Sequence, residues 1–210
     1  MKRRALAAAA LLLSSHPAWA IGSEKTLGTT AYPVSAGGEI IGCELEFTHL
    51  AQDFAYKRGG LILLNGSVAT RLNNQGDPIL TFKLVLDDVE GWGDTLKTTP
   101  STPADASLLS KDGNGNHKSE ILSVAGDGPG SILKVYPLID PSSDGVLDSI
   151  FYDHRLNVAF NRSEGGTDIR ISVDLDAQRE GHGPSVPEFV SCFSTYLDIL
   201  LEKHPSLASE

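Results

Sequence analysis

The chain has 210 residues, with 17 lysines and arginines against 27 aspartates and glutamates, for a net charge of −10. Three of those bases, Lys2, Arg3 and Arg4, stand at the N-terminus, so the rest of the chain carries 14 basic and 27 acidic residues, a net −13. A surface of that sign repels nucleic acid and anionic lipid headgroups, which excludes a nucleic-acid-binding role and a polybasic membrane contact.

Lys2, Arg3 and Arg4 precede an apolar run from Ala5 to Leu13, and Ala18-Trp19-Ala20 reads as a small-residue cleavage site. Residues 1–20 are therefore expected to be a secretory signal peptide, with the mature chain starting at Ile21. No later stretch approaches the ~18 apolar residues of a membrane-spanning helix, so no membrane span is expected. The expected location is the periplasm or the medium. Removing 20 residues from 210 leaves 190, the size of one domain with a sizeable core.

Two cysteines, Cys43 and Cys192, are present. Thiols outside the cytoplasm are oxidised, so they are expected to pair as a disulfide. The loop so closed covers most of the mature chain, for which chain entropy gives a stabilisation of roughly 5 kcal/mol. No C-x-x-C is present, so a redox-exchange role has no support.

In chain order, residues 21–38 are rich in Gly, Thr and Ser and read as a flexible lead-in to a β-rich domain spanning 39–204, with a tail at 205–210. Glu39 to Thr48 alternates, placing Ile41, Cys43, Leu45 and Phe47 on the inner side of a strand. His49 to Arg58 fits either a short helix or an irregular strand. Leu61 to Leu64 is a continuous apolar run, and Asn65-Gly66 after it reads as a hairpin turn. Ser67 to Leu72 and Ile79 to Leu86 are further strands, separated by the turn cluster Asn73 to Pro78. Asp87 to Asp105 reads as a long surface connection, with Trp92 its one large apolar residue.

Beyond a turn at Lys111 to Lys118, Glu120 to Ala125 and Ser131 to Tyr136 read as two short strands. Asp140 to Gly145 reads as a loop, and Val146 to Tyr152 is ambiguous. Leu156, Val158 and Phe160 alternate, SEGGT turns the chain, and Ile169, Ile171, Val173 and Leu175 alternate back, a hairpin. Ser185 to His204 carries a C-terminal amphipathic helix. Phe189, Phe193, Tyr196, Leu197, Leu200 and Leu201 fall on one stripe, Cys192 lies at its edge, and Ser185 with Glu188 has the spacing of a capping box. The expected fold is mainly β, an antiparallel β-sandwich or partly closed barrel with that helix covering one face or open end; an α+β arrangement is the alternative.

No motif identifies a catalytic or cofactor site. Asp112, Asn114 and Asn116 match the first ligand positions of a calcium loop, but His117 stands where the turn glycine belongs and Ser123 where the bidentate glutamate belongs. A plain turn is the better reading. The histidines at 49, 117, 154, 182 and 204 form no H-E-x-x-H, so no metal centre is expected. Gly126 to Gly130 lacks the Lys-Ser/Thr ending of a phosphate loop, and G-x-S-x-G is absent. Asn65 and Asn161 each head a glycosylation sequon.

No cofactor is expected. The leading expectation is a non-enzymatic binding or accessory module, exported and held by its disulfide, for an unidentified protein or glycan partner, with Trp92 in the long connection as a contact residue. The alternative is a glycan or ester hydrolase assembled from loop residues, signalled by a cleft that gathers His154 or His49 with carboxylates. A calcium-dependent binding module is the third.

Overall fold

The computed structural model describes residues 24–91, 93–113 and 120–203. Its strands make two antiparallel sheets. The chain enters through β1 (Lys25–Ala36) and β2 (Glu39–Asp53), a hairpin closed by Gly37 and Gly38. Both glycines have positive φ, 62° and 88°, which a two-residue turn matched to strand twist requires. The strands β3 (Gly60–Leu72) and β4 (Pro78–Glu90) extend the meander. A 3-10 turn at Gly93–Thr95 leads into β5 (Lys97–Pro100), which folds back onto the end of β4.

After β6 (Asp105–Leu109) the chain returns through β7 (Leu122–Ala125) and β8 (Ser131–Pro137). The helix α1 (Pro141–Tyr152), the hairpin β9 (Arg155–Asn161) and β10 (Ile169–Asp174), and the helix α2 (Ser185–Lys203) complete the order. The large sheet runs β1-β2-β3-β4-β8-β7 with β5 beside β4, and the small sheet runs β10-β9-β6. This is a mainly β, two-sheet architecture with a C-terminal helix; it is not a closed barrel.

Alternation along the strands sets the layers. Inward residues of the large sheet, among them Leu45, Ile62, Leu64, Phe82 and Leu84, share one core with Leu108, Val158, Phe160 and Val173 of the small sheet. Phe189, Phe193 and Tyr196 of α2 close that core, and Phe151 of α1 meets both phenylalanines at centroid distances of 6.1 and 5.4 Å. Each such buried side chain contributes about 2 kcal/mol of transfer free energy. The Cys43–Cys192 disulfide fastens α2 to β2 across 149 residues, with the Cα atoms 5.9 Å apart.

Several local expectations change. Residues 25–36 of the expected lead-in form strand β1, paired along β2, with Thr26, Thr29 and Thr30 buried. Threonine is β-branched and fits a pleated surface, a preference outweighed in the sequence reading by the glycines around it. Asn65-Gly66 is not a turn but the middle of β3, because Phe47 on β2 lies over Gly66 and needs the missing side chain; an added Cβ would sit 2.5 Å from Phe47 Cζ. Residues 49–53 continue β2, and the chain then turns through Arg58, at φ 54°.

Ile41 faces outward, 41 % exposed, because β1 pairs Val34 with Gly42 and Ser35 with Ile40 and so skips Ile41 as a bulge. Asp87 to Asp105 is no continuous loop, since β4 runs to Glu90 and β5 pairs back onto it. Asp140 to Gly145, read as a loop, starts α1: Asp140 is its N-cap and accepts from Ser142 N at 2.9 Å. The capping box at Ser185 does not form. Ser185 Oγ instead donates inward to Leu175 O at 2.8 Å and lies 2.8 Å from Thr29 Oγ1, while Pro184 O accepts the first helical bond from Glu188 N. Leu201 is 39 % exposed and falls off the buried stripe, which Leu200 occupies. Residues 1–20, Trp92 and the C-terminal tail lie outside the described residues.

Candidate functional site

The face of the large sheet that points away from the core is open to solvent, and its middle three strands shape a trough. Register places Glu46 of β2 opposite Ser67 of β3, and Ser67 opposite Lys83 of β4. One step along, Thr48, Asn65 and Val85 form a row, and one step the other way Glu44, Ala69 and Thr81 form another. On β3 the short Ser67 and Ala69, each between longer neighbours on β2 and β4, leave a depression that Asn65 and Arg71 bound along the strand. Strands stand about 4.8 Å apart, so its walls are about 10 Å apart at the backbone.

Two clefts occupy this depression, of about 230 and 530 Å³, and both are lined by Glu44, Ser67 and Lys83. The first also takes in Glu46, Thr48, Asn65 and Arg179, where the strap between β10 and α2 passes the edge of β1. That strap is held by Thr29, whose N–H donates to Ala177 O at 2.8 Å. The second cleft extends to Arg71, Asp127 and Leu133.

The polar groups of the trough are oriented by their neighbours. Tyr32 Oη donates to Glu46 Oε1 at 2.8 Å. Burial and that carboxylate push the Tyr32 phenol well above its ordinary value. Lys83 Nζ lies 2.5 Å from Asp127 Oδ1 and holds the Asp127 carboxyl below the usual range. Arg71 reaches Glu44 at 3.9 Å. Thr48 Oγ1 donates to Asn65 Oδ1 at 2.9 Å, leaving the Asn65 amide hydrogens without a partner among the described residues. The first cleft thus gathers two carboxylates (Glu44, Glu46), two cations (Lys83, Arg179), four hydroxyl residues (Thr29, Thr30, Thr48, Ser67) and an amide (Asn65). Such an array can hydrogen-bond a polar ligand. No histidine or cysteine lines either cleft.

The sequence-predicted groups lie elsewhere. Cys43 and Cys192 pair, as expected. Trp92, the expected contact residue, is outside the described residues. His154 Nδ1 meets Asp176 Oδ1 at 2.8 Å on the exposed surface, and His49 is buried, its Nδ1 3.0 Å from Thr26 Oγ1. Neither imidazole lines either trough cleft. Of the calcium-loop match only Asp112 is described, hydrogen-bonded by Ser110 Oγ. Among the described residues no group of three or more His, Cys, Asp or Glu is placed to hold a metal ion. Asn161 is buried, and its Nδ2 donates to Asp168 Oδ1 at 3.2 Å.

Sequence reasoning missed the trough. Its signal was present in the outward series Glu44-Glu46-Thr48 and Asn65-Ser67-Ala69, but the false turn at Asn65-Gly66 split β3 and hid the second series. No protein-family model, curated protein or solved structure matches this chain.

Proposed function

We propose that the protein is an exported, non-enzymatic binding module that takes its ligand in the trough along β3. The observation that carries this reading is the open sheet face, where polar side chains of β2, β3 and β4 converge on two adjoining clefts without an imidazole or thiol among them. A rigid sheet bolted to its closing helix by a disulfide is a preorganised platform, so little ordering is lost on binding. Export to the periplasm or the medium is the setting in which Cys43 and Cys192 stay paired. No helix among the described residues is long and apolar enough to cross a membrane.

Native mass spectrometry of the protein, gently purified from the exported fraction of its own host, tests the reading. The expected result is a species starting at Ile21 with extra mass from a bound molecule that Ser67→Tyr removes. A bare monomer whose mass includes residues 1–20 would overturn both the export and the binding assignments.

A further inference from the structure

We propose that the trough takes an uncharged, polyhydroxylated chain: a linear neutral glycan lying along β3. The inference rests on the trough being the ligand site and names the class of ligand it fits.

Charge balance gives the first argument. In a chain with 27 acidic and 17 basic residues, the first cleft is lined by two carboxylates, Glu44 and Glu46, and two cations, Lys83 and Arg179, and so carries no net charge. A polyanion would meet the two carboxylates, and a polycation would meet the two cations. An uncharged ligand meets neither penalty.

Hydrogen-bond chemistry gives the second. The backbone groups of β2, β3 and β4 are committed to the sheet ladders, so the face offers side chains alone. An extended peptide binds a sheet at an open edge, where main-chain groups are available to it. A sugar needs no such edge. Each of its hydroxyls both donates and accepts, matching carboxylate acceptors on the β2 wall and ammonium, hydroxyl and amide donors on β3 and β4. Tyr32 fixes one oxygen of Glu46, and Thr48 fixes the carbonyl end of the Asn65 amide, so acceptor and donor are set before the ligand arrives.

Shape gives the third. The two clefts abut at Ser67, and the β3 positions from Asn65 to Arg71 span about 20 Å at the strand rise. The walls stand about 10 Å apart at the backbone. A depression of that length and width fits an oligomer of sugar rings laid end to end and is longer than a monosaccharide.

Two-dimensional ¹⁵N NMR of the oxidised protein tests this, with four probes added in turn. They are the β-1,4-linked tetrasaccharides of glucose, mannose and N-acetylglucosamine, and tetraglycine as a zwitterionic peptide. The expected result is saturable shifts of the Asn65, Ser67 and Lys83 amides with at least one tetrasaccharide. Ser67→Tyr, which fills the trough from an outward position, should weaken that binding at least about tenfold, equivalent to about 1.4 kcal/mol. Lys83→Met, which removes a donor, is the second variant and should also weaken it. Shifts at those amides with tetraglycine alone would refute the glycan class and leave the trough as a site. Sugar shifts that both variants leave unchanged, or silence with all four probes, would overturn the glycan and the trough together.

Discussion

Arg162 Nε lies 2.6 Å from Asp53 Oδ2, and Asp53 is completely buried. The same guanidinium donates through Nη2 to Asp88 Oδ1 at 2.7 Å and through Nη1 to Ser101 Oγ at 2.5 Å. Lys57 adds a second cation to Asp88 at 2.9 Å. Arg162 directly follows β9 of the small sheet, whereas Asp53 and Asp88 lie on β2 and β4 of the large one. One planar side chain therefore ties the two sheets together at the end away from α2. Burial opposes ionisation of Asp88, but Lys57 and Arg162 outweigh it and hold its carboxyl below the ordinary value.

Removing Arg162 leaves the Asp53 carboxyl buried without its cation. Arg162→Ala should cost about 3–5 kcal/mol in urea unfolding of the oxidised protein, the range for breaking a buried pair from one side. Arg162→Lys should recover only part of that, because a single ammonium cannot reproduce a three-way fork. A loss below about 1 kcal/mol for the alanine variant would place the pair in the class of solvated surface contacts.

His49 gives the fold a pH dependence of definite sign. Its Nδ1 faces Thr26, its Nε2 is buried without a partner among the described residues, and burial depresses its pKa below the ordinary 6.5. The folded state thus favours neutral imidazole, while the unfolded chain takes up a proton at about pH 6.5. The unfolded state binds more protons below that pH, so stability falls as pH drops through 6.5 and levels off only below the folded pKa. Asp88 acts in the same direction but in a lower window, below its ordinary 3.8. Melting temperature measured between pH 7.5 and 5 should decline, and His49→Gln should flatten that decline. An unchanged slope in the variant would assign it to other groups.

The disulfide should carry a large share of the stability. Cys43 and Cys192 close a loop with a sequence separation of 149, for which the chain-entropy relation gives roughly 5 kcal/mol. Titration of the unfolded, unreduced protein with a thiol reagent should find no free thiol. Reductant should lower the urea midpoint, and Cys43→Ser with Cys192→Ser should reproduce that shift without reductant. Two titratable thiols in the untreated protein would sink the pairing.

What the sequence made legible follows from periodicity. The β9–β10 hairpin and α2 could be read because their apolar residues repeat cleanly at two and at three to four positions, with one face buried. The disulfide followed from the cysteine number and the expectation of export. Residues that answer to partners far along the chain could not be read. The burial of Thr29 depends on Leu175, Ala177 and Ser185, about 150 positions away, and nothing local to β1 reveals them. The Arg162 clamp likewise joins positions 53, 88, 101 and 162. The trough was hidden for a related reason: it belongs to a sheet face, and a face exists only once register is known.

Gly66 is the sharpest case, because its residue type pointed the wrong way. Asn-Gly between apolar runs favours a tight turn, yet here the glycine lies opposite Phe47 in mid-strand. A Cβ at 66 would come within 2.5 Å of Phe47 Cζ and 2.8 Å of the Lys83 carbonyl oxygen, so ring and ladder would both have to shift. Gly66→Ala should therefore destabilise by about 1–3 kcal/mol, the usual cost of overpacking, despite the better strand propensity of alanine. Pairing it with Phe47→Leu should return part of that loss, since the smaller side chain vacates the space over position 66. A double-mutant cycle in urea measures the coupling. If Gly66→Ala proved neutral or stabilising, the glycine would be there for the open trough on the opposite face and not for the ring beneath it.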